Sequence, residues 1–592
     1  MSTPILMLAL ALAQAPNGQT LFENTCATCH TAAGDARTPS LAALRQRTPE
    51  EIVAALTTGA MREQGADLRE AERRAIAEYL AGRAIGSGAT ATAGRCSSPP
   101  PFDPSKGPKW AGWSGDITNT RFQPAAEAGL TAEQTPKLVL KWAFGFPNAV
   151  TARALPTVAG GRLFVGSQSG TIYALDAQTG CIIWTFQAKA GVRTGIVIGP
   201  KPSGGYGAYF GDQRANAYGL DAATGAQLWT RQLEDHRSAN ITGTPTLYQD
   251  RLYVPVASSE EAQGGNASYE CCTFRGSLVA LDAGTGALVW KTYTIAAEAK
   301  PIGKNPAGST RWGPSGGGIW SSPTVDAKRR VIYAATGNMY TEPQQQTSDA
   351  IMAFDLESGA VKWASQVTAK DVFMICQAGA GNCPAAGELG PDHDFGNAPI
   401  LVTRADGKDV IVAGQKSGIG WAFDPDKQGA ILWQYQAGKG SALGGLEFGS
   451  AVDRDNAYFA VSDTIGSDQP GGLHAVNLAT GKRTWFAPPP PTKCAAGRGC
   501  NAAILAAITV IPGVVFTGSN DGGVRGWSTK DGSIVWEFDT NRDFQTVNGV
   551  AAKGASISGP GPIVVGGMLY INSGYGALGG RPGNVLLAFG VQ

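Results

Sequence analysis

Between Leu175 and Trp536 the chain returns seven times to nearly the same letters. LDAQTGCIIW ends at Trp184, LDAATGAQLW at Trp229, LDAGTGALVW at Trp290, FDLESGAVKW at Trp363, FDPDKQGAILW at Trp433, VNLATGKRTW at Trp485 and WSTKDGSIVW at Trp536. Trp142, in KLVLKWAF, stands at the same point without the first half of the unit. Leu-Asp closes one strand, and the next residues turn, with Gly supplying the positive φ. The strand that follows carries a Trp large enough to pack between neighbouring sheets. Two more strands fill each interval, as in GGRLFVGSQSGTIYALD. Four short strands per unit, repeating every ~40 to 70 residues, are the signature of a β-propeller blade. Eight tryptophans predict eight blades over residues 109–592. The unmatched strands KLVLKW and VLLAFGV, one near each end of that region, are expected to complete one blade together and remove the free edge. Glycine, 80 of 592 residues, suits the many tight turns of an all-β ring.

The first hundred residues are written differently. Cys26-Ala-Thr-Cys29-His30 is the attachment signature of haem c: two thiols bond the porphyrin and the adjacent His30 reaches the iron. A zinc site would need two further ligands, and none follows before Cys96. Met61 is the only methionine between residues 16 and 95 and is the candidate second iron ligand; a Met/His pair suits electron transfer. In LREAERRAIAEYL, the residues Leu68, Ala71, Ala75, Ile76, Tyr79 and Leu80 keep a helical period. The stretch from Gly18 to about Ala84 resembles the small all-α class I cytochrome c family, so residues 16–84 are read as one domain carrying a single covalent haem c. Residues 85–108, rich in Gly, Ala, Ser and Pro, read as a linker.

MSTPILMLALALA, residues 1–13, resembles a secretory signal, although no Lys or Arg precedes its apolar run. That run is too short to span a bilayer, and no later segment reads as transmembrane. Apart from Cys26 and Cys29, eight cysteines remain: the pairs Cys271/Cys272, Cys376/Cys383 and Cys494/Cys500, and a leftover Cys96 and Cys181 that could pair. An even set of close cysteines suits an oxidising compartment, so a periplasmic or secreted protein is expected. A formal charge of +1 gives no reason to expect nucleic acid or an anionic membrane as partner, and four histidines speak against a multi-histidine metal centre.

The repeat, over residues 109–592, resembles the tryptophan-docking motif of the pyrroloquinoline quinone (PQQ) dehydrogenases. With a haem c domain placed in front, and with the run SYECCTFRGSLVALD, the chain is similar to the branch of that family that oxidises polyvinyl alcohol. What the resemblance implies can be followed residue by residue. SGGGIWSSP places Trp320 as the flat floor beneath PQQ. IYAATGNMY places Asn338, and VASSEEAQGG places Glu261 (with Glu260 close behind), on a calcium ion. GPDHDFGNAP puts Asp394 at the catalytic base and metal position, with Asp392 and His393 beside it. AGQKSG puts Lys416 against the quinone oxygens, and AGVRTG makes Arg193 a further PQQ contact. Cys271-Cys272 can form a vicinal disulfide of the kind that covers PQQ in many relatives, but there the pair lies about one blade earlier, near the position of Val192 here; pairing with other cysteines stays open. The implied chemistry is oxidation of a secondary alcohol, of a polymer or of another alcohol or sugar. Electrons would pass from PQQ to the haem and on to an external acceptor such as a soluble cytochrome c. A non-enzymatic propeller fused to a cytochrome is the competing reading, and calcium against a lanthanide stays open.

Overall fold

The structure, a computed structural model, describes residues 16–27, 30, 41–45, 47, 49–57, 61, 64–65, 68–82, 94–495, 497, 499–576 and 578–592. The signal-like residues 1–13, Cys29 and residues 85–93 of the expected linker lie outside this set. The chain forms two compact units, 1–93 and 94–592.

The first unit is helical. Its helices are Gly18–Thr25, Leu41–Arg45, Pro49–Thr57 and Glu70–Ala81. Asn17 caps the first, its side chain accepting a bond from Thr20 N at 3.1 Å. Gly82, at φ 66°, closes the last. Phe22, Ile52, Leu56, Ile76, Ala77 and Leu80 form the core; of the helical period in LREAERRAIAEYL, Ile76 and Leu80 are buried and Leu68 and Tyr79 pack against them, whereas Ala71 is exposed. Gly18 is required where the first and last helices cross: a Cβ there would lie 1.9 Å from the Ala75 carbonyl oxygen.

The second unit is an eight-bladed propeller. Blades 1 to 7 are antiparallel sheets of four strands within residues 157–187, 197–232, 246–293, 324–366, 400–436, 451–487 and 509–539, the third extended by the short strand Ala239–Asn240. Blade 8 takes Ile563–Val565, Met568–Ser573 and Val585–Val591 from the end of the chain. Its fourth strand is Leu138–Gly145, paired from Leu138↔Val591 to Gly145↔Val585. The ring is therefore closed by the two strands the repeat left unmatched.

The repeated letters have a mechanical meaning. Asp176 accepts bonds from Gln178 N, Thr179 N and Thr179 Oγ1 at 2.8–3.1 Å, which fixes the turn. The tryptophan of each blade reaches the turn of the next. Seven indoles donate Nε1–H to a backbone carbonyl of the following blade at 2.8–3.3 Å. Seven tryptophans, from Trp142 to Trp485 and including Trp363 against Gly429, also lie against the next turn's glycine. At Gly180, φ 74°, a Cβ would sit 2.7 Å from the Trp142 ring.

Two features lie outside the repeat, and one of them includes the expected Cys96–Cys181 bond. Residues from Gly94 onward, read as part of the linker, are tied to blade 1: Arg95 bridges Ile182 and Cys96 is bonded to Cys181. The next stretch, 110–121, is a strap. It exchanges backbone bonds of 2.8–3.0 Å with Val158, Ile198, Val325, Leu401, Val452 and Val510, on the first strands of blades 1, 2, 4, 5, 6 and 7. Arg121, fully buried at φ 50°, locks its end by donating to the carbonyls of Ile508, Trp113, Pro560 and Pro562.

Candidate active site at the axis

Antiparallel order sorts the loops. The repeat turns join third to fourth strands and lie at one end of the ring. The links between second and third strands, and those between blades, lie at the other. Every propeller residue singled out as a candidate sits in that second set. Arg193 links blades 1 and 2. Glu261 is on the short helical turn Glu260–Gln263 of blade 3. Trp320 leads into blade 4, and Asn338 follows the strand Val331–Ala335. Asp394 leads into blade 5, and Lys416 sits in the turn between Asp409–Gly414 and Ile419–Asp424.

These residues converge. Lys416 Nζ donates to Asp392 Oδ1 at 2.9 Å and Asp394 Oδ2 at 3.2 Å, and lies 5.7 Å from the centre of the Trp320 ring. Asp394 Oδ1 accepts Asn338 N–H at 2.6 Å. Trp320 meets Phe448 edge to face at 5.6 Å and is half-exposed in an otherwise buried run. Gly396 makes room for it: a Cβ there would lie 2.0 Å from Trp320 Cη2. Arg193 stacks over Phe448 and Tyr575, at 5.1 and 5.9 Å. Asn338 spends both amide hydrogens on the carbonyls of Met339 and Phe373, which leaves Oδ1 as its ligand atom.

The charges are unbalanced. Burial, with Asp394 adding to it against Lys416, raises the Glu261 carboxyl to about 7. Burial would lower the Lys416 ammonium, but Asp394, Asp392, Glu447 and Glu261 around it hold it well above the ordinary lysine value. Burial and the nearby Lys416 keep the His393 imidazole below its usual value, hence neutral. Glu260 has a different task. Its buried carboxylate accepts from Thr273 N, Phe274 N and Tyr269 OH at 2.8–3.2 Å, and His236 Nε2 lies 3.3 Å from Oε1. It anchors the chain just after Cys271–Cys272, which form a disulfide packed on Met374. The pair is fully buried beside Glu260. Cys376–Cys383 and Cys494–Cys500 are also bonded.

The sequence reading missed three acids of this cluster. Glu447 is buried, its carboxyl raised by burial to about 7 and its Oε2 without a hydrogen-bond partner. Asp371, raised by burial to about 6, accepts Asp392 N and His393 N at 3.0 and 2.6 Å. Asp349 is buried with both oxygens unpartnered. One signal was available for Glu447: it is the sole charged letter in SALGGLEFGSA.

In the helical unit, His30 is buried and donates its backbone N–H to Cys26 O at 3.0 Å, while Cys26 and Met61 both pack against the core around Phe22 and Leu56.

Comparison with known proteins agrees with this anatomy. The family model for cytochrome c oxidase, cbb3-type, subunit III matches residues 13–80. The model for the β-propeller domain of PQQ glucose/ethanol/alcohol dehydrogenases matches residues 234–375. A polyvinylalcohol dehydrogenase from a Pseudomonas species is 42% identical, over 98% of this chain and 94% of its own. A second, from Sphingopyxis sp. strain 113P3, is 41% identical, over 97% and 93%. The fold is that of the quinohemoprotein alcohol dehydrogenase ADHIIG from Pseudomonas putida HK5: TM-score 0.61, 17% identity, covering 82% of this chain and 81% of that one. A europium-containing methanol dehydrogenase gives a TM-score of 0.58 at 17% identity, covering 82% of this chain and 99% of that one. A propeller of this build behind a cytochrome c unit defines a quinohaemoprotein alcohol dehydrogenase, an oxidoreductase. Identity above two-fifths along nearly the whole length narrows this further: the chain belongs to the polyvinylalcohol dehydrogenase family.

Proposed function

We propose that the protein oxidises secondary alcohol groups of a polyvinyl-alcohol-type polymer at the axial cluster, outside the cytoplasm, and delivers the electrons through its own haem c to an external acceptor such as a soluble cytochrome c. One observation carries the reading: a lysine ammonium held between two carboxylates directly over a half-exposed indole. The names of the two relatives at 42% and 41% identity support the substrate, and the disulfides support an oxidising compartment. When bound, PQQ supplies the hydride acceptor, calcium a Lewis acid for its carbonyl, and haem c a one-electron outlet.

The chain's residues fit these groups. Trp320 offers a flat apolar face for a ring system, with Lys416 and Arg193 as cations for its oxygens. Glu261, Asn338 Oδ1 and Asp394 give the all-oxygen donor set that calcium prefers. The Glu261 carboxyl, raised to about 7 by burial and by Asp394 beside it, puts two acids of the set next to each other. Glu260 is not assigned to the metal, because backbone N–H groups and a tyrosine occupy its oxygens. Asp394 is the general base for the hydroxyl proton. The neighbouring ammonium of Lys416 stabilises negative charge as it develops on oxygen. In residues 16–84, Cys26 and Cys29 carry the haem, and His30 and Met61 are its axial ligands.

Absorbance tests this directly. Purified protein given PQQ and calcium should show its haem bands shift to the reduced form on addition of polyvinyl alcohol or a small secondary alcohol, and not with an aldose. Bands that stay oxidised with every alcohol would overturn the reading.

A further inference from the structure

A large cavity of the propeller, about 550 Å³, is separate from the axial cluster. It opens at the same end of the ring, beside the strand ends of blades 4 and 5, and Thr368, His393, Gln415, Trp421, Gln436 and Lys439 line it. The bonding partners explain its place. In 392–394 and 415–417, Asp392, Asp394 and Lys416 pair with one another, while their neighbours His393, Gln415 and Ser417 line the cleft. One wall thus carries both the reactive pair and the cleft lining.

That wall is prebuilt. Gln415 is fully buried. Its Nε2 donates to Thr368 Oγ1 at 3.0 Å and to the His393 carbonyl at 2.7 Å, and its Oε1 accepts from Ser417 Oγ at 2.7 Å and Trp421 Nε1 at 3.2 Å. The lining mixes apolar surface from Val367, Ile419 and Trp421 with the hydrogen-bonding groups of His393, Gln436 and Lys439.

We propose that this cleft holds the repeat units flanking the carbinol being oxidised, in a polymer that alternates methylene and hydroxyl-bearing carbons; the inference rests on the alcohol-oxidising reading above. The methylenes cover the apolar surface. The hydroxyls pair with the imidazole, which can donate from one nitrogen and accept at the other, and with the amide and ammonium at the rim. The volume lies within the ~300–1,000 Å³ of small-molecule sites, more than an alcohol of a few carbons fills. A small alcohol reaches Asp394 without entering the cleft. A polymer draped over the wall occupies both sites.

The test compares Thr368→Phe and Lys439→Trp, two ways of filling the cleft, with the unaltered holoenzyme. KM is measured for polyvinyl alcohol and for 2-propanol from the rate of haem reduction, and a wild-type melting curve and haem spectrum qualify each variant. The ratio of polymer KM to 2-propanol KM should rise about tenfold, equivalent to ~1.4 kcal/mol of lost contact. A ratio that stays within about threefold of the unaltered value in a folded variant overturns the cleft while leaving the alcohol chemistry standing. An unaltered holoenzyme inactive on both substrates overturns that chemistry, and the cleft with it.

Discussion

The two ends of the propeller are made from the same strands but carry different information. At one end each turn is nearly a copy of the last: an Asx-type turn, a positive-φ glycine, and the indole of the preceding blade laid against it. At the other end no two links are alike. They run from the tight turn at Lys416 to the long link 367–399 with its own disulfide. Repetition marks places where every blade meets the same packing problem. Departure from it marks places where one blade has its own task. Trp320 is the clearest case: the same side chain as the docking tryptophans, off the repeat position, half-exposed, and flanked by charge instead of a glycine turn.

The comparison breaks most visibly at Asp394. Asp394→Asn keeps the shape and removes the base, so kcat should fall about a thousandfold, within the usual range for general-base removal. Its melting temperature should stay near that of the unaltered protein. A loss of stability as large as the loss of rate would make Asp394 a scaffold residue. At the opposite end, Trp290→Ala removes a buried indole with its bond to Leu356 O at 3.3 Å. It should cost about 3–5 kcal/mol of stability, read by denaturant unfolding, while the rate per folded molecule changes little. A full-stability Trp290→Ala would show that docking is not what holds the blades together.

A smaller effect sharpens the contrast in charge. Glu261 and Glu447 are raised by burial from the ordinary 4.5 to about 7. Such groups bind protons more tightly folded than unfolded, so the stability they contribute is present below 4.5 and lost as pH rises through about 7. Calcium held by the Glu261 carboxylate should restore it. The rise in melting temperature on adding calcium should therefore be larger at about pH 8 than at about pH 6. Equal rises at both would remove Glu261 from the metal.

The same contrast explains what was legible in the letters. The propeller, its blade number and its closure were readable because each docking tryptophan needs the same local chemistry, turn by turn. Trp320, Asp394 and Lys416 were readable because their segments resemble a known family, and the structure brings them together. Glu447, Asp349 and Asp371 were not, since an acid's surroundings depend on which loops converge, and those loops are far apart in sequence. Glu260 and Glu261 were indistinguishable as letters. Only the fold shows that Glu260 is saturated by Thr273, Phe274 and Tyr269 while Glu261 faces Asp394. The strap 110–121 was hidden for a related reason: it makes scattered single bonds to six blades and has no period of its own.

Quinone binding to two single variants separates the repeat tryptophans, which build the ring, from Trp320, which is proposed to serve the cofactor. Equilibrium dialysis of PQQ in the presence of calcium should show Trp320→Ala losing most of its affinity while melting close to the unaltered protein. Folded Trp290→Ala should bind the quinone normally. Undiminished quinone binding by Trp320→Ala would contradict the account.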